Sequence, residues 1–205
     1  MVIHMIVKYT EKEKKLVAYH EAGHAICMHV LEHVNPVHQV TIIPRGNAGG
    51  YTMMTPKEEA FNYTKNELLE SICGLLGGRV AEEITFGEVT TGAHDDFKKA
   101  TKIARSMVTE YGMSNLGPMM LEEPDGNTFL GRDYTKNRNI SDTVAHEIDE
   151  EMRSIINTCY EKTKKIITQF DERIMFPINV HRGIMFLKLI CEGGHYAGKN
   201  HGLAY

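Results

Sequence analysis

The feature that most constrains this chain is a short run in its first thirty residues, His20-Glu21-Ala22-Gly23-His24. Thr10-x-x-Glu13 ahead of it has the form of a capping box, and no proline follows until Pro36, so the pattern predicts a helix from Glu11 to about His33. On a helix, positions i and i+4 share a face, which lets the His20 and His24 imidazoles reach one metal ion. Glu21 lies roughly 100° around the wheel, where a carboxylate can hold a water without ligating the metal. A hydrolytic zinc site needs this arrangement.

The motif alone is weak. With 11 histidines in the chain, it arises by chance in roughly one such chain in twenty. Two features argue against two incidental histidines. Small neighbours (Ala22, Gly23, Ala25) let another element approach the motif, and an acidic pair, Asp95 and Asp96, opens a helix further along. A catalytic zinc site takes three protein ligands and keeps a position for water. The third ligand is open at this point: a histidine, a glutamate or an aspartate. As N-terminal helix charges, Asp95 and Asp96 also have a purely structural use. His29 and His33 repeat the i, i+4 spacing, but on the opposite face of the same predicted helix, and are expected to be surface histidines.

The remaining pattern predicts a mainly α fold with a small β ribbon and a long C-terminal helix. Val37 to Ile43 is β-branched and ends at Pro44-Arg45-Gly46, and Tyr51 to Met54 follows Gly49-Gly50, as in a hairpin. A second capping box, Thr64-x-x-Glu67, opens a helix reaching Ile84 that contains Gly74, Gly77 and Gly78. Glycines inside a helix cost about 1 kcal/mol each against alanine, and the plain explanation is close helix–helix packing. Asp95 and Asp96 start a helix to about Tyr111, followed by a loop-rich stretch with short strands expected at 119–121 and 128–130. Ser141 caps a long amphipathic helix through Val144, Ile148, Ile155, Ile166 and Phe170.

Charge and composition narrow the function. A net charge of −4 gives no basic footprint for nucleic acid. The four cysteines form no C-x-x-C pair and fall mostly in helical apolar patterns, which points to reduced, buried thiols and a cytosolic-type compartment. No apolar run approaches the ~20 residues of a spanning helix. Gly193-x4-Gly198-Lys199-Asn200 comes near a phosphate-binding loop, but has Asn200 where a magnesium-binding hydroxyl is needed. The expectation is that this chain itself binds no ATP.

Several runs resemble the peptidase domain of the FtsH family, the membrane-anchored AAA zinc proteases. They are EKEKKLVAYHEAGHA (11–25), PVHQVTIIPRG (36–46), LLGGRVAEEITFGEVTTGA (75–93), ATKIARSMVTEYGMSNLGP (100–118), FLGRD (129–133) and EIDEEMRSII (147–156). The resemblance spans about residues 11 to 171, in the family's order.

It implies a helical zinc peptidase domain over 11–173, after an N-terminal extension (1–10) and before a divergent tail (174–205). Carried over residue by residue, the zinc ligands are His20, His24 and Asp96, one ion per chain, with Glu21 as general base. Glu82 matches an acid that supports a zinc histidine from behind. Substrate is expected to pair with an edge strand around Val40, Thr41, Ile42 and Ile43 or around Tyr51 to Met54. The implied activity is hydrolysis of peptide bonds in unfolded or membrane-extracted proteins by a homo-oligomer, hexameric by resemblance.

Full-length relatives carry ATPase and transmembrane modules and are membrane-anchored, with this domain on the cytoplasmic or organelle-interior side; the chain as given is expected to be cytoplasmic. From Ile174 on, the sequence departs from the family's pattern and is expected to be irregular, with His181, His195 and His201 incidental. A second possibility is a non-degrading remnant or interaction module that keeps the fold.

Overall fold

A computed structural model describes residues 10–43, 49–55, 61–122, 140–174, 179–181 and 184–186. Four helices carry the fold: α1 (Glu11–Val30), α2 (Lys65–Phe86), α3 (His94–Thr109) and α4 (Asp142–Ile174). Both capping boxes form. The Thr10 hydroxyl accepts from the Glu13 amide at 3.2 Å while the Glu13 carboxylate accepts from the Thr10 amide at 2.8 Å. Thr64 and Glu67 repeat the exchange at the head of α2. Gly87, at φ 65°, closes α2 in the left-handed conformation that glycine adopts without strain. The Ser141 hydroxyl accepts from the Val144 amide at the start of α4.

The helix α1 is unusual in its burial. Every residue from His20 to Cys27 is buried, so two full turns lie inside the protein rather than against one face of it. That demands close neighbours on all sides, and the small residues provide them. At the crossing of α1 and α2, a Cβ on Gly23 would sit 2.3 Å from the Gly77 carbonyl oxygen, and one on Gly77 would sit 2.6 Å from the Gly23 oxygen. Only two glycines let these backbones touch. Around that crossing Ile26, Ile72, Leu76 and Val80 join Ala100, Ala104 and Met107 of α3 and Cys159, Ile166 and Ile167 of α4 in one core. Cys27, Cys73 and Cys159 are free thiols and buried, as expected.

Two expectations change here. The helix α1 stops at Val30, and Leu31 is already extended (ψ 136°). His33 therefore leaves the helix and the face it was expected to share with His29; its amide and ring instead meet the Glu70 carboxylate, at 2.7 and 3.2 Å. A buried acceptor on a neighbouring helix ends α1 where no glycine or proline does. Residues 119–121 form no strand, because the chain folds back onto the end of α3, with the Leu121 and Glu122 amides donating to the Thr109 carbonyl. The strand expected at 128–130 lies outside the described residues.

The β ribbon is present: β1 (Val37–Thr41) pairs antiparallel with β2 (Tyr51–Met54), with an irregularity in register between Val37 and Gln39. Two further short strands come from the stretch expected to be irregular, β3 (Asn179–His181) and β4 (Ile184–Phe186). They pair with each other, and Ile184 pairs with Thr41, giving the order β2-β1-β4-β3. Val180 and Ile184 through Phe186 are good strand formers, which the departure from the family pattern concealed. The segment from 187 to 205, with the phosphate-loop near-match, lies outside the described residues. Among the described residues no helix is long and apolar enough to cross a membrane.

Candidate metal centre

The buried turns of α1 bring His20 and His24 against the start of α3, and the helices converge on three ligand atoms. His20 Nε2 and His24 Nε2 are 3.0 Å apart, and Asp96 Oδ2 lies 3.3 Å from the first and 3.4 Å from the second. Among the described residues, His20, His24 and Asp96 form a group whose ligand-type atoms lie close enough together to hold a metal ion. Four ligands held tetrahedrally at zinc's usual ~2.0–2.1 Å stand about 3.3 Å from one another. The spacing fits that ion.

The outer sides of both rings fix which nitrogens face inward. His24 Nδ1 meets the Gly74 carbonyl oxygen at 2.8 Å, and a carbonyl can only accept, so Nδ1 carries the proton. His20 Nδ1 meets Glu82 Oε1 at 2.7 Å, and an ionised carboxylate likewise accepts. In the neutral rings both Nε2 lone pairs therefore point at each other and at a carboxylate oxygen. Three lone pairs at this separation repel unless a positive charge, a metal ion or a proton on one ring, lies between them.

Electrostatics agree. Burial opposes charge on His20, but Asp96, Glu82 and Glu21 outweigh it and raise its pKa to about 9. Burial likewise opposes charge on Asp96, yet the two imidazoles hold its carboxyl well below the usual aspartate range. Glu82 is fully buried; burial pushes its pKa up, and the His20 ring and the Thr90 amide, which donates to Oε2 at 2.9 Å, bring it below the ordinary glutamate value. Glu82 thus ties the motif helix to the turn that precedes Asp96. Asp95, the other acid of the pair, is exposed.

Glu21 sits beside this cluster, 6% exposed. The Thr52 hydroxyl donates to its Oε2 at 2.7 Å. A Cβ on Gly50 would fall 2.9 Å from Glu21 Cγ and 2.6 Å from the Thr41 oxygen, so that glycine makes room for the carboxylate. Gly78 does the same for His20: a Cβ there would lie 2.5 Å from Cε1 and Nε2 of its ring. Of the three glycines in α2, then, Gly77 serves helix packing, Gly78 makes space for a ring, and Gly74 contributes its carbonyl. The Arg79 guanidinium lies 5.0 Å above the Phe97 ring, joining α2 to α3.

Sequence reasoning did not find Thr52, Gly50, Gly78 or the Gly74 carbonyl. The adjacent glycines at 49 and 50 were the available signal, since a residue two along from Gly50 in a strand faces the same way. The stretch Val40–Ile43, expected as a substrate-pairing edge, takes in the end of β1 and the two residues after it. In the sheet order β1 lies between β2 and β4, meeting β4 at Thr41. Val40, Thr41 and Ile42 are also buried, and only Ile43 is exposed. The outer strand beside Glu21 is β2, the other stretch considered.

Comparison with known proteins gives the same family. Residues 7–176 match the family described as Peptidase family M41. The chain is 62% identical over 162 residues to an ATP-dependent zinc metalloprotease FtsH of Acholeplasma laidlawii, covering 79% of this chain and 25% of that protein. A Bacillus subtilis protein of the same name is 54% identical over 167 residues, covering 80% of this chain and 26% of its own length. The chain spans about a quarter of the length of these curated relatives. With a mainly helical fold, a buried His-Glu-x-x-His helix and a match over most of its length, the chain belongs to peptidase family M41, the FtsH family of zinc metalloproteases.

Proposed function

We propose that this chain is a zinc-dependent endopeptidase unit that cleaves extended segments of unfolded proteins. His20, His24 and Asp96 hold one zinc ion, and Glu21 is the general base. The observation that carries this reading is the convergence of three ligand atoms within 4.8 Å, with both Nδ1 atoms already engaged elsewhere. When bound there, zinc polarises the scissile carbonyl and lowers the pKa of water toward ~7.

The chain's own residues do the remainder. Thr52 holds one oxygen of Glu21 and leaves the other to take a proton from the attacking water, then pass it to the leaving amine. Glu82 and the Gly74 carbonyl keep the two imidazoles in the tautomer that presents Nε2. Substrate pairs along β2, Tyr51 to Met54, as an added strand; Met53 and Met54 are exposed there and offer apolar contact with little sequence preference. In the whole protein, an ATPase module would unfold and deliver the substrate, in a hexamer anchored at a membrane, as the resemblance implies.

Digestion of an unfolded casein by the purified, zinc-loaded chain tests this. Cleavage that a chelator stops, that needs no ATP and that disappears in Glu21→Gln is expected. Bound zinc without any cleavage would overturn the reading in favour of a non-degrading module.

A further inference from the structure

Asp96 reaches His20 and His24 from a helix that has no side-chain cap of its own. It is the third residue of α3, and Ala93, at the N-cap position, makes no side-chain cap bond. Ala100, Ala104 and Met107 seat the later turns of α3 in the core. The first turn, which carries Asp96, continues instead from a single turn of 3-10 helix, Thr91–Ala93, with the His94 amide donating to the Thr91 carbonyl. Thr90 caps that turn: its hydroxyl accepts from the Gly92 amide at 3.1 Å. The Thr90 amide donates to Glu82 Oε2 at 2.9 Å, and Oε1 of the same carboxylate meets His20 Nδ1 at 2.7 Å. Gly92 lies over both groups, since a Cβ there would stand 3.2 Å from the Thr90 hydroxyl oxygen and 3.9 Å from Glu82 Oε1. Ala93 is buried and anchors the far end of the turn.

We propose that Thr90 is a positioning residue for the zinc site: its hydroxyl holds the turn before α3 in the shape that brings Asp96 to the two histidines. The proposal rests on the reading of His20, His24 and Asp96 as zinc ligands. Aspartate has one methylene between backbone and carboxylate, so rotating the side chain cannot make up for a displaced backbone. Asp96 Oδ2 stands 3.3 and 3.4 Å from the two Nε2 atoms, and a shift of the first turn of α3 changes both distances together. Thr90 is placed to prevent that shift because its two bonds run in different directions. The amide ties the turn to Glu82, and through it to His20; the hydroxyl ties the turn to itself, between that anchor and Asp96. Gly92 is exposed, so without the hydroxyl its amide turns to water. The fold then keeps its core, and what loosens is the path from Glu82 to Asp96.

A double-mutant cycle on zinc affinity tests this without reference to peptidase activity. Thr90→Val keeps the branched shape and removes the hydroxyl; Thr90→Ser keeps the hydroxyl. Zinc affinity of the full chain is measured by competition with a chromophoric chelator, for each variant alone and combined with Asp96→Ala, with circular dichroism as the check on folding. Thr90→Val is expected to lose about tenfold in affinity, the lower end of what groups supporting a zinc ligand are worth, with wild-type secondary structure. Thr90→Ser is expected to restore wild-type affinity to within about twofold, and Thr90→Val to cost less than about twofold once Asp96 is alanine, because the hydroxyl acts through that residue. A cap that served stability alone would leave zinc affinity unmoved in Thr90→Val, and that result overturns the proposal. So does an equal loss with and without Asp96, which would place the effect elsewhere in the site. A wild-type chain that bound no zinc would overturn the metal reading itself and the role of Thr90 with it.

Discussion

Gly78 forms the floor beneath His20: its backbone lies so close that a Cβ would stand 2.5 Å from two atoms of the imidazole. The ring has no easy retreat, because Glu82 holds its other nitrogen and His24 flanks it edge-on at 4.7 Å between centroids. Gly78→Ala therefore gains helix propensity yet displaces a ligand. We expect a folded protein by circular dichroism whose zinc affinity falls about tenfold or more, the usual scale for disturbing a ligand's support. Competition with a chromophoric chelator measures this, and unchanged affinity would remove the steric argument.

Glu82 is the only acid behind His20 among the described contacts, and it accepts from the Thr90 amide as well. Glu82→Gln keeps the shape but loses the charge that fixes the ring's tautomer. A loss of about 10–100-fold in zinc affinity is expected, with secondary structure retained. The same chelator competition reads it.

Thr52→Ala separates binding from chemistry. The hydroxyl touches Glu21 and none of the three proposed ligands. Zinc content should stay at the wild-type level, while kcat falls about tenfold, the worth of one charge-assisted hydrogen bond, ~1.4 kcal/mol. Steady-state cleavage of a fluorogenic peptide with parallel metal analysis checks both halves. Loss of zinc with loss of rate would instead make Thr52 a purely structural residue.

Glu70 supports stability rather than chemistry. Burial pushes its pKa up, but the His33 amide, Lys162 and the His33 ring outweigh it and hold it below its ordinary 4.5. A depressed carboxylate stabilises the fold above its unfolded pKa and loses that contribution as pH falls through the folded value. Glu70→Gln should cost about 1 kcal/mol or more at pH 7, and the gap to wild type should narrow as pH falls below the ordinary glutamate value and close once the folded-state carboxylate is protonated. Urea unfolding across that range measures the gap.

Much of the fold was legible in the sequence because it is written in local chemistry. Thr10 with Glu13 and Thr64 with Glu67 mark helix starts by side-chain bonds three residues long, and both form. His20, Glu21 and His24 lie within one helix, so their relation follows from its pitch. What escaped depends on distant partners. The helix α1 ends early because Glu70, 37 residues beyond His33, takes that residue's amide. The role of Gly74 is played by a carbonyl that every residue possesses, so its identity carries no sign of it. Gly78 announces a close approach without saying to what. The place of β1 between β2 and β4 rests on its pairing with Ile184, far along a stretch where the family pattern had ended.

The most direct test of the central claim is zinc content by elemental analysis of the chain purified without added metal, beside Asp96→Ala. His20, His24 and Asp96 acting together predict about one zinc per wild-type chain and a large loss in the variant, because two histidines alone complete too little of the tetrahedron. Less than about half an equivalent in the wild type, or undiminished zinc in Asp96→Ala, would contradict a three-ligand site.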